Sequence, residues 1–166
     1  MTPRRNLSAK AALIMTAIQS VFLCGCILNP ISYSSDSKLA AEAITQVYAL
    51  LDVSNYREGA LKEVVTDDFL IYEAGKAMNL SQFHDYISHV DPTVDPLSLT
   101  QWSQSNMVVL ADHNSVHVRY SNTGKFEHGD SFTVNINWLE SGYFVRTADG
   151  LKLQFLNVNL VSKSFE

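Results

Sequence analysis

The sequence predicts an α+β domain in which helices come first and a curved, mainly antiparallel sheet follows, with three N-terminal helices packed on one side of it. Three observations predict this. Apolar residues recur at helical spacing in the first half; Asp91-Pro92-Thr93-Val94-Asp95-Pro96 then breaks the chain; long strand-like runs separated by turn residues follow. Each proline of the break removes an amide donor and biases its predecessor away from helix, so the segment separates the two halves.

Ile44, Val47, Tyr48 and Leu51 stand at i, i+3, i+4 and i+7, which places them on one face of a first helix over residues 38–51. Leu61, Val64 and Val65 suggest a second, shorter helix after Ser54-Asn55, ended by Thr66-Asp67-Asp68. Phe69-Leu70-Ile71-Tyr72-Glu73 is β-rich and precedes Ala74-Gly75-Lys76, where glycine tolerates a positive φ, so a short strand pair is expected. Phe83, Ile87 and Val90, with Tyr86 beside them, predict a third helix. Beyond the break four strands are expected. The first covers residues 100–111 and ends at Asp112-His113-Asn114; the second covers 116–120 and ends at Asn122-Thr123-Gly124. The third alternates Phe132, Val134, Ile136 and Trp138 with Thr133, Asn135 and Asn137, and the fourth begins at Leu151 after Asp149-Gly150.

Ahead of the domain, Arg4, Arg5 and Lys10 precede an apolar stretch from Ala11 to Leu23, the tripartite form of a secretion signal. It ends in Leu23-Cys24-Gly25-Cys26, which resembles the bacterial lipobox, so residues 1–25 are expected to be removed and Cys26 to carry lipid. An uncleaved signal anchor and a signal cut elsewhere are the alternatives. Ile27 after the lipidated cysteine, rather than an Asp, implies by resemblance to lipoprotein sorting the outer membrane, facing the periplasm. Residues 26–37, with Pro30 and four serines, read as a lipidated tether, and 38–166 as one domain.

Removing residues 1–25 takes three of the twelve basic residues and none of the seventeen acidic ones, which moves the net charge from −5 to −8. Such a domain excludes nucleic acid as a natural partner. Both cysteines belong to the leader and the tether, so the domain would hold no disulfide, thiol nucleophile or cysteine metal site. No His-Glu-x-x-His, Gly-rich phosphate loop or Gly-x-Ser-x-Gly elbow occurs, and neither metal nor cofactor is expected.

The order of elements resembles the nuclear transport factor 2-like superfamily, also called SnoaL-like. Asp67-Asp68-Phe69-Leu70-Ile71-Tyr72-Glu73-Ala74-Gly75 carries the likeness, with Trp138 through Arg146 and Asp149-Gly150-Leu151-Lys152-Leu153-Gln154-Phe155-Leu156, over residues 38–163. The resemblance implies a cone-shaped domain around a cavity, commonly a homodimer through the outer face of the sheet. Some relatives, such as ketosteroid isomerase, set a carboxylate base in an apolar pocket; others only bind, or assemble oligomers. Many have Trp-Lys after the Asp-Gly turn and a histidine near the end of the final strand. Leu151-Lys152 and Asn157 stand there instead, which withholds a catalytic histidine.

Glu73 is the candidate acid or base, against a solvent-facing strand end. Tyr72 alternates to the other side, so the two compete for the pocket. Tyr48 either reaches a ligand or packs in the core; Trp102 lines a pocket wall or an interface; Asn135 and Asn137 line a polar pocket or a solvated face. His117 is the histidine to watch, as catalytic assistant or structural hydrogen-bonder. Two functions follow: a lipid-tethered module that binds a small apolar or amphipathic ligand or a partner protein, or an isomerase- or dehydratase-like enzyme using Glu73.

Overall fold

The structure is a computed structural model that describes residues 33–57, 59–88 and 98–166. The signal segment, Cys26, Val90 and both prolines of the break lie outside those residues. Helix α1 (Tyr33–Leu51) is followed by a 3-10 turn (Ala60–Glu63), strands β1 (Val65–Glu73) and β2 (Lys76–Asn79) and helix α2 (Leu80–Ser88). Strands β3 (Leu99–Ala111), β4 (Ser115–His128), β5 (Phe132–Thr147) and β6 (Gly150–Phe165) complete the chain.

All six strands form one sheet in the order β2-β1-β6-β5-β4-β3. Only β1 and β6 pair in parallel, with Tyr72 beside Asn157; every other neighbour is antiparallel. The β1–β2 hairpin closes through Ala74 and Gly75, both at positive φ (50° and 73°), the backbone that suits the right-handed twist of a two-residue hairpin.

Alternation along the strands divides the sheet into two faces. Val116, Val118, Tyr120 and Asn122 of β4 and Phe144 of β5 point under the helices, where Ala40, Ile44, Val47 and Tyr48 of α1 and Phe83 of α2 meet them. This inner face is the core. Gly142 of β5 lies at a tight point of it: a Cβ there would stand 3.2 Å from Phe144 and 3.3 Å from Leu153. Side chains there would force apart the layer that closest packing fills.

Four expectations are corrected. The second helix is a single 3-10 turn, so two helices cover the sheet rather than three. Val65 is already sheet, paired with Leu153, and Thr66-Asp67-Asp68 lies within β1. Strand β4 runs through Asn122-Thr123-Gly124 to His128, because those residues pair with Trp138, Asn137 and Ile136 instead of turning. Helix α1 starts at Tyr33, so the last tether residues are helical; Asp36 in its first turn suits the positive end of the helix dipole and bridges to Arg146 at 2.6 Å.

Candidate functional site

Glu140 is the centre of the inner face. It is 5% exposed, and the two-residue period that turns Phe132, Val134, Ile136 and Trp138 inward carries it inward as well. Its carboxylate is fully engaged. Tyr48 donates its hydroxyl to Oε2, Asn122 donates Nδ2 to Oε1 at 3.0 Å, and Tyr120 also hydrogen-bonds to it. Gln104 extends the chain by donating to Asn122 Oδ1 at 3.0 Å. The two tyrosine hydroxyls stand 3.5 Å apart.

Burial raises the Glu140 pKa, and the hydrogen bonds from Tyr120, Tyr48 and Asn122 oppose that rise. Burial also holds both phenols well above their ordinary range, with the neighbouring charges adding to it, so they remain proton donors. Loss of the carboxylate would leave three buried polar groups facing each other without their acceptor.

Glu73 lies on the same face, two strands away. The residue after Asn157, Val158, pairs with Glu140, and Glu140 pairs with Tyr120, so a row runs Glu73, Val158, Glu140, Tyr120 across the sheet. At ordinary strand spacing the two carboxylate-bearing backbones are about 10 Å apart. Glu73 is partly buried, and its pKa is raised to about 7, first by desolvation and then by the charge of Glu140. Its own charge in turn raises the pKa of Tyr86, after desolvation. Tyr86 and Lys76, the cross-strand partner of Glu73, both line an open hollow of about 590 Å³ between β2 and α2.

Trp102 of β3 joins this face: its ring centroid is 4.8 Å from Tyr48, 5.2 Å from Phe126 and 6.0 Å from Trp138. Its indole N–H is buried with no partner among the described residues. The structure thus brings together Glu73, Tyr48 and Trp102 from the sequence candidates.

It places the others on the opposite side. Tyr72 is 45% exposed and packs edge-on against Phe155. Asn137 accepts from Thr123 Oγ1 at 2.9 Å and donates to Ser162 Oγ at 2.9 Å, a polar ladder that runs over the outer face together with Asn135. His117 meets Ser141 Oγ at 2.9 Å on that same face, so it cannot assist Glu73. Alternation is the physical reason in each case: Tyr72 holds an even position on β1, whose odd positions Phe69 and Ile71 are buried, and the others hold odd positions on strands whose even positions are buried. Glu140, Tyr120, Asn122 and Gln104 were not among the candidates. Continuing the even-numbered alternation of residues 132–138 by one step finds Glu140.

Among the described residues no group of three His, Cys, Asp or Glu side chains converges, and no helix is long and apolar enough to cross a membrane.

No family model matches the chain, and neither does any curated protein. Solved structures do. A nuclear transport factor 2-like protein of Cytophaga hutchinsonii is 13% identical, covers 75% of this chain and 97% of its own, and superposes with a TM-score of 0.59. The fold is nuclear transport factor 2-like. A Novosphingobium aromaticivorans protein assigned as a scytalone dehydratase is 9% identical (79% and 87% covered, TM-score 0.63). A CaMKII hub of S. rosetta is 15% identical (75% and 95% covered, TM-score 0.61). At these identities the likeness speaks for the nuclear transport factor 2-like fold, which serves reaction and assembly alike.

Proposed function

We propose that the inner face is an acid–base site, isomerase- or dehydratase-like, that moves a proton on a small, mostly apolar molecule bearing a carbonyl or hydroxyl group. The observation that carries this reading is Glu73: an inward carboxylate with a pKa raised to about 7, beside a hollow of about 590 Å³. A base whose pKa sits near the working pH is half ionised yet still basic enough to take a proton. Glu140 acts as a positioning residue. Its buried charge lifts Glu73, and its hydrogen bonds hold Tyr48 and Tyr120 in one arrangement.

The test uses a β,γ-unsaturated cyclic ketone, whose conversion to the conjugated isomer is followed by NMR in deuterated buffer. Glu73→Gln should lower the rate by about a hundredfold or more, from the lower end of the span of ~10²–10⁴ for a lost general base upward. Equal rates for the two proteins would remove the reading. A second reading, binding without turnover, is favoured by the commitment of both tyrosine hydroxyls to Glu140. It would appear as a rise in melting temperature with the same ketone but no conversion.

The leader adds a place to the activity. We propose acylation at Cys26 and attachment to the outer membrane, supported by Leu23-Cys24-Gly25-Cys26 behind Arg4 and Arg5. Labelled palmitate should enter the wild type and not Cys26→Ser.

A further inference from the structure

We propose that the substrate of the inner site is a small keto acid, whose carboxylate is held in the hollow between β2 and α2 by Lys76, Gln82 and Tyr86 while its carbonyl end lies toward Glu73. This rests on the acid–base reading of Glu73 and names the substrate class for it.

The backbone sets the first group. The two-residue turn through Ala74 and Gly75 makes Lys76 the cross-strand partner of Glu73, and such partners hold their Cβ atoms about 5 Å apart on one face of the sheet. An ammonium so placed would ordinarily pair with the carboxylate. Lys76 does not: its Nζ lies 5.3 Å from the centroid of the Tyr86 ring and joins no ion pair among the described residues. The state of Glu73 agrees, since burial and the charge of Glu140 raise its pKa to about 7 and Lys76 does not bring it down. The cation is left for a ligand.

A helix cap fixes the second group. Asn79 Oδ1 accepts from the Gln82 backbone N–H at 2.9 Å, and Gln82 Oε1 accepts from the Asn79 backbone N–H at 3.0 Å, the reciprocal box that starts α2. With its oxygen engaged, the Gln82 side chain has its NH2 donor unbonded. Tyr86 gives the third group. Its hydroxyl makes no hydrogen bond among the described residues, and burial followed by the charge of Glu73 raises its pKa, which keeps it a donor.

Three donors without an acceptor of their own thus line one hollow of about 590 Å³, within the span of small-ligand sites. A carboxylate accepts up to about four hydrogen bonds and donates none, so it is the group that answers all three. Asp85 also lines the hollow and is already engaged; its charge repels a second negative group, which selects a mono-acid over a di-acid. Ala77 and Met78 supply the apolar part of the lining for the carbon skeleton.

Full-length protein in detergent, titrated calorimetrically with a cyclohexanone bearing a ring carboxylate, with its methyl ester and with cyclohexanone itself, tests the assignment. The acid should bind at least about tenfold more tightly than either neutral ketone, the scale of one charge-assisted hydrogen bond. Lys76→Gln should abolish that preference and Lys76→Arg should keep it. Added salt should narrow it, because Lys76 is exposed. Glu73→Gln should bind the acid at least as tightly as the wild type does, so recognition is read apart from turnover. Acid binding as expected in a protein that isomerises no ketone would sink the acid–base reading and leave the carboxylate clamp standing. Equal affinity for acid and ester, or an acid preference that survives Lys76→Gln, would overturn the clamp itself.

Discussion

One strand builds two unlike surfaces. The inward residues of β5, Trp138, Glu140 and Phe144, lie under helices and bonding partners, while Asn137, Leu139 and Ser141 between them face outward. The inner surface is closely packed, and its polar atoms are almost all paired. The outer one is a carpet of amides and hydroxyls bonded at the surface, interrupted by exposed Leu139 and Tyr143. Stability and specialised chemistry therefore belong to one face, and tolerance and access to the other.

Substitutions on the same strand would sharpen that contrast. Phe144→Ala, which empties the largest fully buried position, should cost about 3–5 kcal/mol in urea unfolding. A loss under about 1 kcal/mol would mean that the face is loosely packed. Glu140→Ala should cost about 2–4 kcal/mol, because Tyr48, Tyr120 and Asn122 lose their acceptor together. Glu140→Gln, which keeps an acceptor, should cost less than half of that, read from the same denaturation midpoints.

A pH series gives the third effect. Glu73 titrates at about 7 when folded and at its ordinary value of 4.5 when unfolded, so the folded state holds the proton longer. The stabilisation this linkage supplies is complete below about pH 4.5 and lost as pH rises to about 7, with a span of up to about 3 kcal/mol. Glu73→Gln should flatten that part of the curve; an unchanged slope would place the carboxyl in water. The smallest effect belongs outside. Asn137→Ala should shift stability by no more than about 0.5 kcal/mol, and a larger cost would show that the polar ladder is structural.

Much of this was legible in the chain. The helical spacing of Ile44, Val47, Tyr48 and Leu51 marked the packed face of α1, and Glu73 before Ala74-Gly75 marked a hairpin end. The length of the strands was not legible, since Asn122-Thr123-Gly124 and Ser141-Gly142 carry turn chemistry. Their reasons are tertiary: Asn122 is needed by Glu140, and Gly124 and Gly142 leave room for Phe126, Trp138 and Phe144. Local propensity yields to packing at such places. Glu140 itself lay one step beyond the alternation of residues 132–138, and what hid it is that a carboxylate at an inward position is explained only by its tertiary partners Tyr48 and Asn122.

The sheet order also sets a timetable. Strand β6, the last to leave the ribosome, lies between β1 and β5, and so between Glu73 and Glu140. The β3–β6 meander grows by neighbouring hairpins, which close quickly, whereas β1 must wait for a partner more than eighty residues downstream. Until β6 has been made the two carboxylates have no fixed separation. A nascent chain stalled before β6 therefore holds every inner-face residue described here except Val158, Leu153 and Leu156, yet Glu73 has only the β1–β2 hairpin and nothing to join it to the strand that carries Glu140.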